Sequence, residues 1–260
     1  MVSIVTDSGR RFGGLDRLYG TAPGSVVRAS HVVVVGLGGV GSWVAEALAR
    51  SGVGRLTLID MDHVAESNIN RQIQALTSTI GMAKIVAMQQ RIKEINPSCE
   101  VRLVDDFVTP QNWLQLLPNA ADAVIDCCDQ VPAKVAMAMW ARMSGVDFIS
   151  VGAAGGKRHG HRVDVADLSE VTHDPLLAKV RFALRKMHGV PKNGKKIGVT
   201  CVFSREPVQS PLGLCEVNSD STLNCHGYGS TVAVTATFGF CASGCVIDKI
   251  ANKLQPAVDT

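Results

Sequence analysis

Apolar residues in the first 156 positions fall into two alternating patterns. Residues 31–36, HVVVVG, are apolar at consecutive positions, as in a strand covered on both faces. WVAEALARSGV (43–53) carries apolar residues at helical spacing, and RLTLID (55–60) reads as a second strand. GMAKIVAMQQRIKEINP (81–97) predicts a helix with Met82, Ile85, Met88, Ile92 and Ile95 on one face and Pro97 beyond its end. CEVRLVDDF (99–107), DAVIDCCD (122–129) and DFISVGAAGG (147–156) supply further strands, with a helix over 131–146. Strands alternating with such helices predict an α/β fold with a doubly wound, mainly parallel Rossmann-like sheet. The alternation stops after Gly156. Residues 1–156 therefore read as a nucleotide-binding core. Residues 157–260 read as a basic, mixed part that completes the same domain and carries the expected dimer interface.

Residues 227–247 hold no charge over 21 positions, long enough to cross a bilayer. Their Gly, Ala, Ser and Thr content, and Asp248–Lys249 directly after, favour a buried helix, one that could serve a subunit interface, over a membrane-associated one. MVSIVTDSGRRFGG has no apolar core of signal-peptide length, and none of the eight cysteines form a C-x-x-C pair. Reduced thiols in a cytoplasmic protein are expected, and a zinc ribbon is not. Net charge is only +3, but residues 151–200 carry ten Lys/Arg against four Asp/Glu, a local +6 that leaves −3 for the rest.

GLGGVG places Gly36, Gly38, Gly39 and Gly41 between a predicted strand and helix, with Asp60 nineteen residues beyond Gly41. Glycines let the backbone approach a phosphate, the helix N-terminus attracts it, and an aspartate at the second strand's end accepts from ribose hydroxyls. This loop accommodates NAD or ATP equally. The segment after it distinguishes them. Asp62, Asn68, Asn70, Arg71 and Gln72 follow the second strand, Lys84 opens the next helix, and Asp126 and Asp129 bracket the end of the fourth strand. Singly, each is an ordinary surface residue or helix cap. Jointly, at the carboxyl edge of one sheet, they form a set that hydride transfer does not need. Triphosphate cleavage does need it: Arg71 and Lys84 neutralise phosphate charge, Asn and Gln groups orient it, and a carboxylate holds Mg²⁺.

These motifs, G-x-G-G-V-G-S (36–42), L-I-D-M-D (58–62), N-x-N-R-Q (68–72), G-x-x-K (81–84) and D-C-C-D (126–129), resemble the ubiquitin-activating-enzyme superfamily of adenylating proteins. The resemblance implies ATP and Mg²⁺ as cofactors, Asp60 on ribose, Arg71, Gln72 and Lys84 on phosphates, and Asp129 on magnesium. It also implies a homodimer in which an N-terminal arginine, here Arg11, reaches the neighbouring subunit's ATP. RFGGLDRLYG (11–20), NRQIQAL (70–76), VDDFVTP (104–110), GVTCVFSREP (198–207) and TVAVTATFGF (231–240) are similar to the tRNA-modifying dehydratase branch of that superfamily. That implies ATP-dependent cyclisation of a threonylcarbamoyl group on an adenosine beside the anticodon. Its carboxylate would be adenylated, and a nitrogen of the same modification would attack the activated carbonyl, with net loss of water.

Residues 175–200 hold Lys179, Arg181, Arg185, Lys186, Lys192, Lys195 and Lys196 and no acid. With tRNA as substrate, and no DNA, Lys192, Lys195 and Lys196 become candidate phosphate contacts. Cys225, beside His226, is a candidate relay thiol or a spectator, and a sulfur-transfer partner protein is a corresponding expectation. Two rival functions remain open from sequence. One is activation of a sulfur-carrier or partner protein's C-terminus by an adenylation scaffold. The other is a nicotinamide-dependent oxidoreductase, supported only by the glycine loop and Asp60.

Overall fold

The computed structural model describes residues 7–192, 194–209 and 228–253. Seven strands form one sheet in the order β3-β2-β1-β4-β5-β7-β6. They are β1 His31–Val35, β2 Arg55–Ile59, β3 Glu100–Val104, β4 Ala123–Asp126, β5 Asp147–Val151, β6 Val163–Asp167 and β7 Thr200–Ser204. All neighbours pair parallel except β6 with β7. Helices α1 Ser8–Tyr19, α2 Thr21–Ala29, α3 Gly41–Arg50, α4 Lys84–Ile95, α5 Trp113–Leu116, α6 Val131–Ser144, α7 Pro175–Met187 and α8 Val232–Asn252 complete the described chain.

Alternation along β1 assigns its side chains to two cores. Val32 and Val34 face α3, α4 and α8, meeting Leu48, Met88, Ile92, Phe238 and Val246. Val33 and Val35 face α6 and α7, meeting Met137, Ala138, Leu177 and Leu184. Each such valine or leucine contributes about 1.5–3 kcal/mol when fully buried. β7 and α8 lie in the same core as β1, through Val202 and Phe238.

The apolar C-terminal segment is a helix long and apolar enough to cross a membrane, yet half of it is buried in the protein. Val234, Phe238, Ala242 and Val246 are fully buried. At Gly239 the helix comes so close to α3 that an added Cβ would lie 2.7 Å from Trp43 Cβ. This helix is core packing, as its small residues suggest.

Three expectations change. Met82 precedes α4 and packs with Val64, Ala75 and Ala87 instead of on the helix face. β6 and β7 extend the sheet where sequence periodicity indicated only irregular chain. Asp126 is not an open acid at the sheet edge. It is fully buried and bonded to Lys134 Nζ (2.9 Å) and Ser150 Oγ (2.8 Å). Burial alone would lower the Lys134 pKa, but the Asp126 carboxylate outweighs it and holds the ammonium form above the ordinary lysine range.

Candidate active site

Strand order reverses between β1 and β4, which opens a crevice at the carboxyl edge of the sheet. The glycine loop leaves β1 at that point. Gly36 has φ +83°, and a Cβ there would lie 3.1 Å from the Cys128 nitrogen in the β4 loop. A Cβ on Gly41 would lie 1.7 Å from the Gly36 oxygen, so the return into α3 tolerates no side chain. Gly38, by contrast, faces open space. No side chain caps the N-terminus of α3; the Ser42 and Trp43 N–H groups donate to the carbonyls of Gly38 (3.2 Å) and Val40 (3.0 Å), so the glycine loop itself closes the first turn.

Asp60 braces this loop. Its carboxylate accepts from the Leu37 N–H (2.5 Å) and the Asp62 N–H (2.8 Å). Burial pushes its pKa up, opposed by the nearby Lys84 cation and these N–H donors. Lys84 starts α4, and its ammonium pairs with Asp62 at 2.7 Å. The lysine side chain is 8% exposed and that of Asp62 53%, so the buried cation is covered by a carboxylate that can move into solvent.

Arg71 lies against the glycine loop: its Cδ would be 3.3 Å from a Cβ on Gly39. Its backbone carbonyl accepts from Trp43 Nε1 (2.9 Å) and its Nη1 donates to the carbonyl of Ser67 (2.8 Å) and to Asn70 Oδ1 (2.9 Å). Gln72 is buried beside it, and Asn68 is buried with its Oδ1 accepting from the Ala65 N–H at 3.1 Å. Asn68 thus shapes the turn that presents Arg71. Among the described residues, six buried polar side-chain atoms lack a partner, and three of them, Ser42 Oγ, Arg71 Nε and Gln74 Oε1, surround this loop. Buried polar atoms are ordinarily paired, so their clustering marks a place where a polar ligand is expected.

Gln74 was not singled out in the sequence. Its Nε2 donates to the Leu37 carbonyl at 2.9 Å and to Gln72 Oε1 at 3.2 Å. The polar alternation N-R-Q-I-Q was its only signal. Trp43 was missed because an apolar-looking helix position gave no hint of its indole N–H.

The remaining described candidates make no hydrogen bond to the glycine loop. Asp129 is exposed, and its Oδ1 accepts from Gln130 Nε2 at 3.2 Å. Arg11 Nη1 donates to the Ile95 carbonyl at 2.8 Å, at the end of α4. It lines a cleft of about 900 Å³ with Phe12, Arg50, Gln74, Arg91 and Glu94, and no glycine-loop residue lines that cleft. Lys192, Lys195 and Lys196 are exposed in the chain leading into β7. Because β7 runs parallel to β5, that loop lies at the amino edge, opposite the glycine loop. Cys225 lies outside the described residues. The six described cysteines are all free thiols, and burial pushes Cys99 up to about 12.

The ThiF family profile matches residues 17–253. The tRNA threonylcarbamoyladenosine dehydratase of Haemophilus influenzae is 44% identical over 246 residues, covering 94% of this chain and 94% of that protein. The enzyme of the same name from Escherichia coli (strain K12) is 43% identical over 263 residues, covering 97% and 98%. A crystal structure of the E. coli tRNA N6-threonylcarbamoyladenosine dehydratase in complex with ATP superposes with a TM-score of 0.86 at 43% identity, over 96% of this chain and 98% of that one. A second, in complex with AMP, gives 0.87. With a family match running almost end to end and relatives matched along nearly their whole length, the chain belongs to the ThiF family.

Proposed function

We propose that this chain uses ATP to dehydrate threonylcarbamoyladenosine in tRNA. The names of its relatives support the substrate, and the ATP and AMP complexes of the E. coli enzyme support the nucleotide. The observation that carries the chemistry is the seating of Arg71 on the glycine loop, beside buried polar atoms that lack partners.

On this reading the α-phosphate of ATP is attacked by the threonylcarbamoyl carboxylate. An acyl-adenylate forms and pyrophosphate leaves. An internal nucleophile of the same modification then attacks the activated carbonyl, the ring closes, and AMP departs. AMP leaves far more readily than hydroxide, and the attack is intramolecular, which removes the entropic cost of bringing reactants together. Arg71 grips two phosphate oxygens, Lys84 adds a point charge, and Gln72 orients them. Asp60 accepts from ribose, with Asp62 holding Lys84 until the phosphates take it. Asn68 sets the turn.

Mg²⁺ is ordinarily held by one or two carboxylates plus substrate phosphates, not by an all-protein cage. Asp129, an exposed carboxylate bonded only to Gln130 among the described residues, fits that pattern. When bound, the ion neutralises phosphate charge. A homodimer with Arg11 acting on the neighbouring ATP is an expectation carried by the resemblance, and a relay role for Cys225 with a sulfur-transfer partner is one carried by its place beside His226. Free thiols support a cytoplasmic setting.

Pyrophosphate release tests this reading. Release is expected only when ATP–Mg²⁺ and threonylcarbamoylated tRNA are both present, and Arg71→Ala should lower it about 100-fold. Release that ignores the tRNA modification contradicts the assignment, and hydride chemistry produces no pyrophosphate at all.

A further inference from the structure

The seven cations of residues 175–200 have no acidic partner among the described residues, although ion pairs occur elsewhere in the protein. Two of them are committed or partly buried. Arg181 Nη1 donates to the carbonyls of Leu168 (2.9 Å) and Val171 (2.8 Å), and Arg185 Nε is buried without a partner. Lys179 and Lys186 are exposed on α7, with Phe182 between them at 66% exposure.

Helix geometry explains this face. Leu176, Leu177, Val180 and Leu184 fill the buried side of α7. Positions 179, 182 and 186 lie on the opposite side, at spacings of three and four. An exposed phenyl group alone needs no explanation. One set between two unpaired lysines combines the two features by which proteins hold a single strand: cations for phosphates and an aromatic face for a base.

The helix also leads from the chemistry to the lysine loop. Asp174 caps it, accepting from the Leu177 N–H, and also accepts from the Ala153 N–H just past β5, each at 2.9 Å. This pins the start of α7 to the carboxyl edge of the sheet. At its far end, Asp167 accepts from the Ile197 (2.8 Å) and Gly198 (2.7 Å) N–H groups and fixes the loop carrying Lys192, Lys195 and Lys196. A helix of 13 residues spans about 20 Å. Lys179, Phe182 and Lys186 therefore form a track between the active-site edge and the distal lysines.

We infer that the solvent face of α7 is the path of the substrate tRNA's anticodon arm, with Phe182 stacked on an unpaired base and Lys179 and Lys186 on flanking phosphates. This rests on the proposed function. Lys179, Phe182 and Lys186 lie on the solvent side of α7 and make no hydrogen bond to the glycine loop, Arg71 or Lys84, so variants of this face should bind ATP as the parent protein does.

The test measures binding of threonylcarbamoylated tRNA by the full chain across a salt titration, alongside ATP binding and nucleoside conversion. Phe182→Ala should weaken tRNA binding about tenfold with the salt dependence kept, and Phe182→Trp should hold affinity. The double variant Lys179→Ala/Lys186→Ala should bind more weakly and flatten the log–log salt slope by about 1.4, roughly 0.7 for each phosphate released. If both Phe182→Ala and the double variant bind ATP normally and match the parent in tRNA affinity at every salt, the assignment of α7 is overturned. A parent protein that binds this tRNA but never converts it overturns the functional reading alone.

Discussion

Gly38 and Gly41 sit three positions apart and answer to different demands. At Gly41 the constraint lies within the chain, since an added Cβ would fall 1.7 Å from the Gly36 oxygen. Gly41→Ala should destabilise the fold by about 1–3 kcal/mol and abolish ATP binding. At Gly38 the space is open. Gly38→Ala should melt within a degree or so of the parent, as neutral sites do, yet bind ATP more weakly, because the methyl group occupies room a phosphate approaches. Thermal melts with and without ATP separate the two, and equal loss of stability at both positions would contradict this division. Asp60 adds a pH dependence. Burial raises its pKa, so on acidification it protonates earlier than an ordinary aspartate and stops accepting two backbone N–H bonds. ATP affinity should therefore fall as pH drops through that raised value, and Asp60→Asn should bind weakly without the pH step.

Two acidic groups that look alike in sequence act differently once their elements are placed. Asp126 and Asp129 bracket the end of β4, and the spacing D-C-C-D gives no means to rank them. The structure buries Asp126 against Lys134 and leaves Asp129 exposed. The discriminating residue lies one helical turn into α6, on its buried side, where a lysine reads as an ordinary solvent-facing cation. Lys134→Met strands a buried carboxylate and should cost about 3–5 kcal/mol, a melting shift on the order of 10 °C. Adding Asp126→Leu should recover much of it. Asp167 joins β6 to the lysine loop. Burial alone would raise its pKa, but hydrogen bonds from Ser169, Ile197 and Gly198 outweigh burial and hold it below the usual aspartate range. Its stabilisation is present above the unfolded-state value and is lost as pH falls through the lowered folded value. Asp167→Asn should therefore be less stable at neutral pH by about 1 kcal/mol, discounted for exposure, and match the parent in acid. Denaturant titrations at both pH values check this.

The whole molecule was legible where a strand is buried on both faces. β1, β2, β4 and β5 are mostly apolar and buried at nearly every position, and their alternation with helices implies parallel order. β6 escaped because V-D-V-A-D is a half-exposed antiparallel edge strand whose polar positions match no buried run. β7 escaped although it is as long as β1 and nearly as buried, because it lies beyond the point where strands and helices stop alternating along the chain. α1 was hidden by its three glycines and by charged residues that keep it mostly exposed, and α2 by Pro23 and Gly24. Of the candidate site, sequence named Asp60, Arg71, Gln72 and Lys84, which lie near one another beside the loop. Its supports, Trp43 and Gln74, required knowing which side chains face inward. The placement of the basic segment also required topology: only the parallel pairing of β5 with β7 sends the lysine loop to the opposite edge. What unites these parts is one reaction on one substrate. The most direct measurement is mass spectrometry of nucleosides digested from threonylcarbamoylated tRNA after incubation with the protein and ATP–Mg²⁺. The account predicts a threonylcarbamoyladenosine lighter by one water, dependent on ATP and absent with Arg71→Ala. An unchanged nucleoside mass, with ATP bound and the tRNA engaged, would contradict it.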